Sequence, residues 1–585
     1  MLFIFKIFYF LIFIFVSYGL NAQELKIQEN YFYQQLVALN KKNNLNIILS
    51  DQDIKKYKNI FDLQKEGRWK KAKNIIDTLD NDILLGHVKY QKLMHPTKYR
   101  SPYIELKDWL EEYSDHPMAI RIWKLAERRK PEGTKSLFKP KSLERLSGYG
   151  MDKNNIVPFK DFYIAKKYYK HYAKIRNLVK RGRPTQALRF LNNTEDLPQV
   201  IYDDLRGIIS AGYFSVGKDK SSFKLAINSA SRSGDVNPIL YWRAGLAAYR
   251  LNKKDIALKN FYKLTDLKVN HWLKSAGAFW VAKINKENNN LEEIDKYLLI
   301  ASKQSDTFYG QLAIEILGLK DPINWKLNNP GEIFKMDIFK NIHLKRAIAL
   351  SVVGRYGEAD QEIRFLYSKF KENKLEEMLE LTNFLSLPAV QIRIGDKLEQ
   401  RGKKSYVALY PKPNWLSSND LIIDEALLWA LIRKESSFYL KAKSNRGARG
   451  LMQLMPSTAR MVMKDRTIRG ANRWKLYDLQ YNILTGQKLL ERLLATENIS
   501  DSLIAILISW NAGPSRYEQW NKKIGQYKDP LMYIESIPSY ETRWFVKEVL
   551  KNLWIYRDYL GQEKFSRNQI VQDDWPKYKN LNFKE

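Results

Sequence analysis

The sequence contains no cysteine in 585 residues. That excludes disulfides, thiolate metal sites, a thiol nucleophile and a lipid-attachment cysteine, so the fold must be held by packing alone. Histidine is scarce as well. The six are scattered without metal-ligand spacing, and no metal or other cofactor is expected. Acidic residues are in deficit, 64 against 98 Lys and Arg, for a formal charge of +34. The excess implies affinity for polyanions or anionic surfaces. With no zinc-finger spacing and no stacking motif of the RNA-recognition type, nucleic acid is not the expected partner. Beyond the first residues, no segment reaches the roughly 18 to 20 uninterrupted apolar residues of a membrane span.

What is present argues for a folded, multidomain chain. Hydrophobic residues make up 45% and aromatic residues 13%, too many for a disordered protein, and the length suits two to four domains. The opening stretch, "MLFIFKIFYFLIFIFVSYGLNA", combines one lysine with an apolar core and a polar break, and reads as an export signal over residues 1–22. Leu20 is an imperfect residue three before the cut, so an uncleaved anchor is the alternative.

From about residue 25 to 400 the pattern is helical, in amphipathic runs separated by Gly, Asn, Asp or Pro breaks. One device recurs: a turn residue five positions before an alanine, as Gly67/Ala72, Gly182/Ala187, Asn252/Ala257 and Gly354/Ala359. The turn residue closes one helix in a left-handed cap, and the alanine lets the next pack closely. The alanines are unevenly spaced, which excludes a strict 34-residue array and points to an irregular solenoid of helix pairs over residues 23–400. Two prolines and a serine pair in "YVALYPKPNWLSSND" read as an extended linker, 401–419. One further domain, 420–570, and a tail, 571–585, complete an all-α chain.

The densest set of unusual residues follows the linker. In "EALLWALIRKESSF" apolar positions pave one side of a helix and Glu435 emerges near its last turn. Desolvation there raises a carboxyl pKa and makes a general acid. Residues 436–464 contain no Asp or Glu, so local sequence gives Glu435 no carboxylate companion of the kind a glycosidase pairs. Glu535 and Glu541 are the distant candidates. "GARGLMQLMP" adds a glycine turn with Gln453 as donor and acceptor, and places Met452 and Met455 for an apolar shelf; "SWNAGPSRY" adds a second turn.

"ESSF", "GARGLMQLMP", "WNAGP" and "IESIPSYETRWFVKEVL", in this order and at these separations, resemble the catalytic domain of soluble lytic transglycosylases, lysozyme-like enzymes that cleave peptidoglycan. The similarity extends to "TFYGQLA" and "ALYPKPNWL", which resemble the family's helical superhelix and the linker into its catalytic domain. The resemblance implies an N-terminal α-superhelix followed by a lysozyme-like helical domain, peptidoglycan glycan strands as substrate, and a periplasmic location at the outer membrane or cell wall. It also implies helical repeats that offer a surface to other cell-wall enzymes.

Carried over, Glu435 matches the single acid that protonates the glycosidic oxygen and then, as carboxylate, deprotonates the muramyl C6 hydroxyl to give a 1,6-anhydro end. Ser444, Gln453 and Met455 match sugar contacts, and Glu535 matches a residue that supports the cleft. Asn511 lies in the matching turn, where Trp510 replaces the usual tyrosine: a phenol hydroxyl is lost beside the catalytic carboxyl, and the indole N–H is the alternative donor. The alternatives are a noncatalytic wall-binding scaffold and a muramidase-type hydrolase with a second carboxylate.

Overall fold

A helix that ends in a left-handed residue can turn back on itself without a Cβ clash. In the computed structural model, which describes residues 49–141, 145–148, 164–327, 337–370 and 374–582, all four turn residues adopt that conformation. Their φ values are +76° at Gly67, +70° at Gly182, +57° at Asn252 and +78° at Gly354. In each case the following N–H returns to a carbonyl five residues back: Arg68 to Leu63, Arg183 to Leu178, Lys253 to Ala248 and Arg355 to Leu350. Ala72, Ala187, Ala257 and Ala359 are all buried, as close helix packing requires.

A fifth turn escapes the alanine pattern. Gly217 has φ +73°, and the N–H of Lys218 returns to Tyr213. Five positions on stands Ser222, which exchanges hydrogen bonds with Ser210 on the preceding helix. A serine fits here because its hydroxyl is satisfied inside the helix pair. The turns at 182, 217 and 252 are therefore 35 residues apart, so the array is regular in this stretch and irregular elsewhere.

Among the described residues there is no β-strand, only isolated bridges such as Lys443 with Arg449, and the fold is all-α. No described helix is long and apolar enough to cross a membrane. The segment read as an export signal, 1–22, lies outside the described residues.

The chain divides into two compact units. The first takes residues up to 151 together with 324–420 and 436–482. Its main core joins chain-distant segments, with Tyr57, Ile60, Leu84 and Val88 packed among Leu344, Ile348, Ile363, Phe370, Val390 and Ile394. The proline-rich stretch read as a linker is packed into this unit. Ser405 caps one helical turn, Tyr406–Leu409, the Val407 carbonyl accepts from Gln391, and Tyr410 and Trp415 are buried. Aromatic and apolar residues interleaved with the prolines account for the difference, because a free linker would leave them in water.

The second unit takes residues 152–323, 421–435 and 483–585. Stacked helix pairs bury Trp242 edge-on against Trp272 and Trp280. The 20-residue helix Tyr540–Tyr559 is buried along most of its length, with Trp544 edge-on to Trp272 and Trp554 stacked on Phe308. The stretch 420–570 thus contributes to both units. The tail is bonded to the helix that carries Glu435: Asn582 Oδ1 accepts from the Glu425 N–H, and Tyr578 Oη accepts from the Asp424 N–H.

Candidate active site

The helix Glu425–Ser436 is fixed at its start and tuned at its end. Asp424 Oδ1 accepts from the Leu427 N–H at 2.9 Å, the bond of an N-terminal cap. Its other oxygen accepts from Leu581 and lies 3.7 Å from Arg557. Ala426 to Ile432 are all buried, so the helix cannot rotate without exposing its core face. Glu435 follows one turn later, partly buried.

Its neighbours decide its chemistry. Burial pushes the Glu435 carboxyl up to about 7, against an ordinary value of 4.5. The Trp510 N–H and the Lys434 charge oppose that push, and the Glu541 charge adds to it. The indole Nε1–H of Trp510 donates to Glu435 Oε1 at 2.8 Å, so the substituted tryptophan supplies a donor. Trp510 ends the buried helix Leu503–Ala512. Next to it Asn511 is oriented by Thr542, whose hydroxyl donates to Asn511 Oδ1 at 2.7 Å, which turns the amide nitrogen the other way. The sequence reading missed Thr542; a short hydroxyl side chain in the first turn of an amphipathic helix gives no signal of its own.

Glu535 is fully buried. Its Oε1 accepts from Tyr309 Oη and from Lys547 Nζ, each at 2.7 Å, and its backbone carbonyl accepts from Arg543. That geometry makes it an anchor for the helices around it. A cavity of about 890 Å³ in this unit is walled by Trp272, Tyr540, Trp544, Arg243, Arg543 and Glu541, a basic and aromatic lining.

The remaining predicted site residues belong to the first unit. Just after Glu435 the chain enters the left-handed region at Ser437 (φ +48°) and Phe438 (φ +62°), which costs on the order of 1 kcal/mol per residue. Phe438 is held there by burial and an edge contact with Trp415. Ser444 closes a turn, its Oγ accepting from the Ala448 N–H. Gln453, itself left-handed, donates through Nε2 to the Gly450 carbonyl at 2.8 Å. A Cβ on Gly450 would stand 2.0 Å from the Leu476 carbonyl oxygen, so glycine is required there. Met455 is 38% exposed and Met452 is fully buried. Of the shelf drawn from the two methionines, only Met455 offers a surface, because the Met452 N–H is tied to Asn482 and its side chain lies in the core.

The raised Glu435 carboxyl has a stability consequence. Between about 4.5 and 7 the folded chain keeps a proton that the unfolded chain has lost, so stability falls as pH rises through that window, and the loss is complete above it. Glu435→Gln removes the titration and keeps an oxygen for Trp510. The variant is expected to match the parent near pH 4.5 and to exceed it at pH 8 by on the order of 2 kcal/mol. Urea unfolding at the two pH values measures the difference, and equal gaps at both would contradict the buried, protonated acid.

Residues 418–532 match the family described as the transglycosylase SLT domain. The soluble lytic murein transglycosylase of Escherichia coli K12 is 33% identical over 172 residues, 29% of this chain and 26% of that protein. The protein of the same name from Salmonella typhimurium is 27% identical over 304 residues, 50% of this chain and 45% of that one. The alignments thus span less than half the length of these curated relatives. The fold is similar to that of an inactive mutant of the lytic transglycosylase Slt from Pseudomonas aeruginosa, with a TM-score of 0.52 and 17% identity, covering 95% of this chain and 96% of that one. Over residues 418–532 the chain carries a domain of the transglycosylase SLT family.

Proposed function

We propose that the protein is a peptidoglycan lytic transglycosylase that cleaves the bond between N-acetylmuramic acid and N-acetylglucosamine, with Glu435 as its single acid and then base. The observation that carries this is the Glu435 carboxyl, pushed up to about 7 by burial and bonded to the Trp510 N–H at 2.8 Å. In the first step its proton passes to the glycosidic oxygen and the C1–O4 bond breaks. In the second the new carboxylate takes the proton of the muramyl C6 hydroxyl while O6 bonds to C1, which returns Glu435 to its starting state and consumes no water. The carboxylate-free run after Glu435 supports this order, since an internal nucleophile makes a second protein carboxylate unnecessary. Ser444, Gln453, Met455 and Asn511 are proposed as sugar contacts, with Trp510 and Glu535 as supports. Export to the periplasm is proposed from the apolar run of residues 1–22.

The test is to incubate the protein with purified peptidoglycan and weigh the released fragments. Anhydromuramyl ends, one water lighter than reducing ends, are expected. Glu541 favours a second reading, because its charge acts on Glu435 and a hydrolase would use such a carboxylate to activate water. Reducing ends that disappear in Glu541→Gln would establish that reading instead.

Trp510 sets the pH range. Its N–H favours the ionised form of Glu435, so Trp510→Phe is expected to move the alkaline limb of the rate profile up by about one pH unit while lowering the maximal rate. Trp510→Tyr, which keeps a donor, is expected to restore the limb. A limb that stays put in Trp510→Phe would assign it to another group.

A further inference from the structure

Three of the six histidines, scattered in sequence at positions 87, 116 and 343, converge in the first unit on the buried carboxylate of Glu362. His87 Nε2 lies 2.8 Å from Glu362 Oε1, and His343 Nδ1 lies 2.5 Å from Oε2. His116 Nε2 lies 3.1 Å from His87 Nδ1, and His116 Nδ1 accepts from the Met118 N–H at 3.1 Å. Donor and acceptor roles follow from that last bond. His116 Nδ1 is an acceptor, so in the neutral ring Nε2 carries the proton and donates to His87 Nδ1; His87 Nε2–H and His343 Nδ1–H then donate to Glu362. The same assignment argues against a metal ion, although the ligand atoms of His87, His116 and Glu362 lie within 4.8 Å of one another. A ligating His116 Nε2 would need its Nδ1 to carry a proton, and that atom already faces an N–H. His87 also gives its two nitrogens to different partners.

The relay joins parts of the chain far apart in sequence. His87 stands on helix Leu85–Leu93, His116 just after helix Tyr103–Glu112, His343 on Ile342–Val352 and Glu362 on Tyr356–Phe365. We propose that this histidine–glutamate relay is a pH-sensitive clamp that holds the N-terminal helices to the helices after residue 341 and loosens on acidification. A proton added to the His116 ring must land on Nδ1, where it destroys the Met118 bond. It also adds positive charge opposite His87 on its own side and opposite His343 and Arg346 from the facing helix. Arg346 is itself tied to Asp115. Tyr90 and Trp109 cover the rest of the ring, so no water can share the charge.

Both titrations have the same sign. Burial, with the neighbouring His87 ring, lowers His116 well below its ordinary 6.5, so the stability it contributes is present above that value and is lost as pH falls. Burial raises Glu362, but bonds from His343 and His87 outweigh it and hold the carboxyl near 2, so its contribution is lost only further into acid.

Hydrogen–deuterium exchange of the full chain at about pH 7.5 and 5.5, corrected for intrinsic exchange, tests the clamp. Amides of Leu85–Leu93 and Ile342–Val352 are expected to exchange about tenfold faster at the lower pH, with Tyr540–Tyr559 unchanged. His116→Asn, which keeps an acceptor for Met118 but does not titrate, should lose that acceleration. The clamp is overturned by equal acceleration in the variant, by acceleration spread evenly over both units, or by none in the parent. Should the variant fail to fold, the confinement of the parent's acceleration to these helices decides. Stoichiometric zinc that protects the same helices at both pH values would also overturn it.

Discussion

Glu435→Gln is expected to lower the release of soluble wall fragments by at least about a thousandfold while leaving binding to insoluble wall intact. One group delivers the proton to the leaving oxygen and later removes one from the attacking hydroxyl, so a single substitution disables both steps. The amide keeps the shape and an acceptor for the Trp510 N–H, so the loss reads on proton transfer and not on folding. Fragment release by the variant within tenfold of the parent would assign the acid elsewhere. Wall binding by the parent without any release would leave a scaffold.

Lys547→Met is expected to destabilise the second unit by about 3 to 5 kcal/mol. Lys547 and Glu535 are 3% and 1% exposed at 2.7 Å, and the ammonium is packed over the rings of Trp272 and Tyr309. Burial lowers the Lys547 pKa against the pull of Glu535. Truncating the lysine leaves the buried Glu535 carboxylate with Tyr309 on Oε1 and only the longer Arg543 contact, 3.9 Å from Oε2, to serve it. The double variant Lys547→Met/Glu535→Gln should recover most of the loss, because no unpaired charge remains. A single variant within about 1 kcal/mol of the parent in urea unfolding would show that the pair is dispensable.

Local rules made much of the fold legible. The left-handed turns at Gly67, Gly182, Asn252 and Gly354 followed from residue type, and Glu435 was marked by an apolar helix face that ended in a carboxylate. What sequence could not show is long-range. Gly217 with Ser222 was hidden because a serine pair does the work of the alanine. The packing of 406–415 depended on aromatic residues finding a core that lies elsewhere in the chain. Gln453 and Ser444 proved to be tied into their own turns, a hydrogen-bond assignment that composition does not carry. His87, His116 and His343 meet only because the first unit's core brings residues 57–88 and 344–394 together, and no spacing rule spans that separation.

The most direct test of a lone proton donor working without water is digestion of purified peptidoglycan by the full chain in water enriched in oxygen-18. Cleavage driven by Glu435 and the muramyl C6 hydroxyl predicts anhydro ends that carry no label. Labelled reducing ends would contradict it and would require a second carboxylate to activate water.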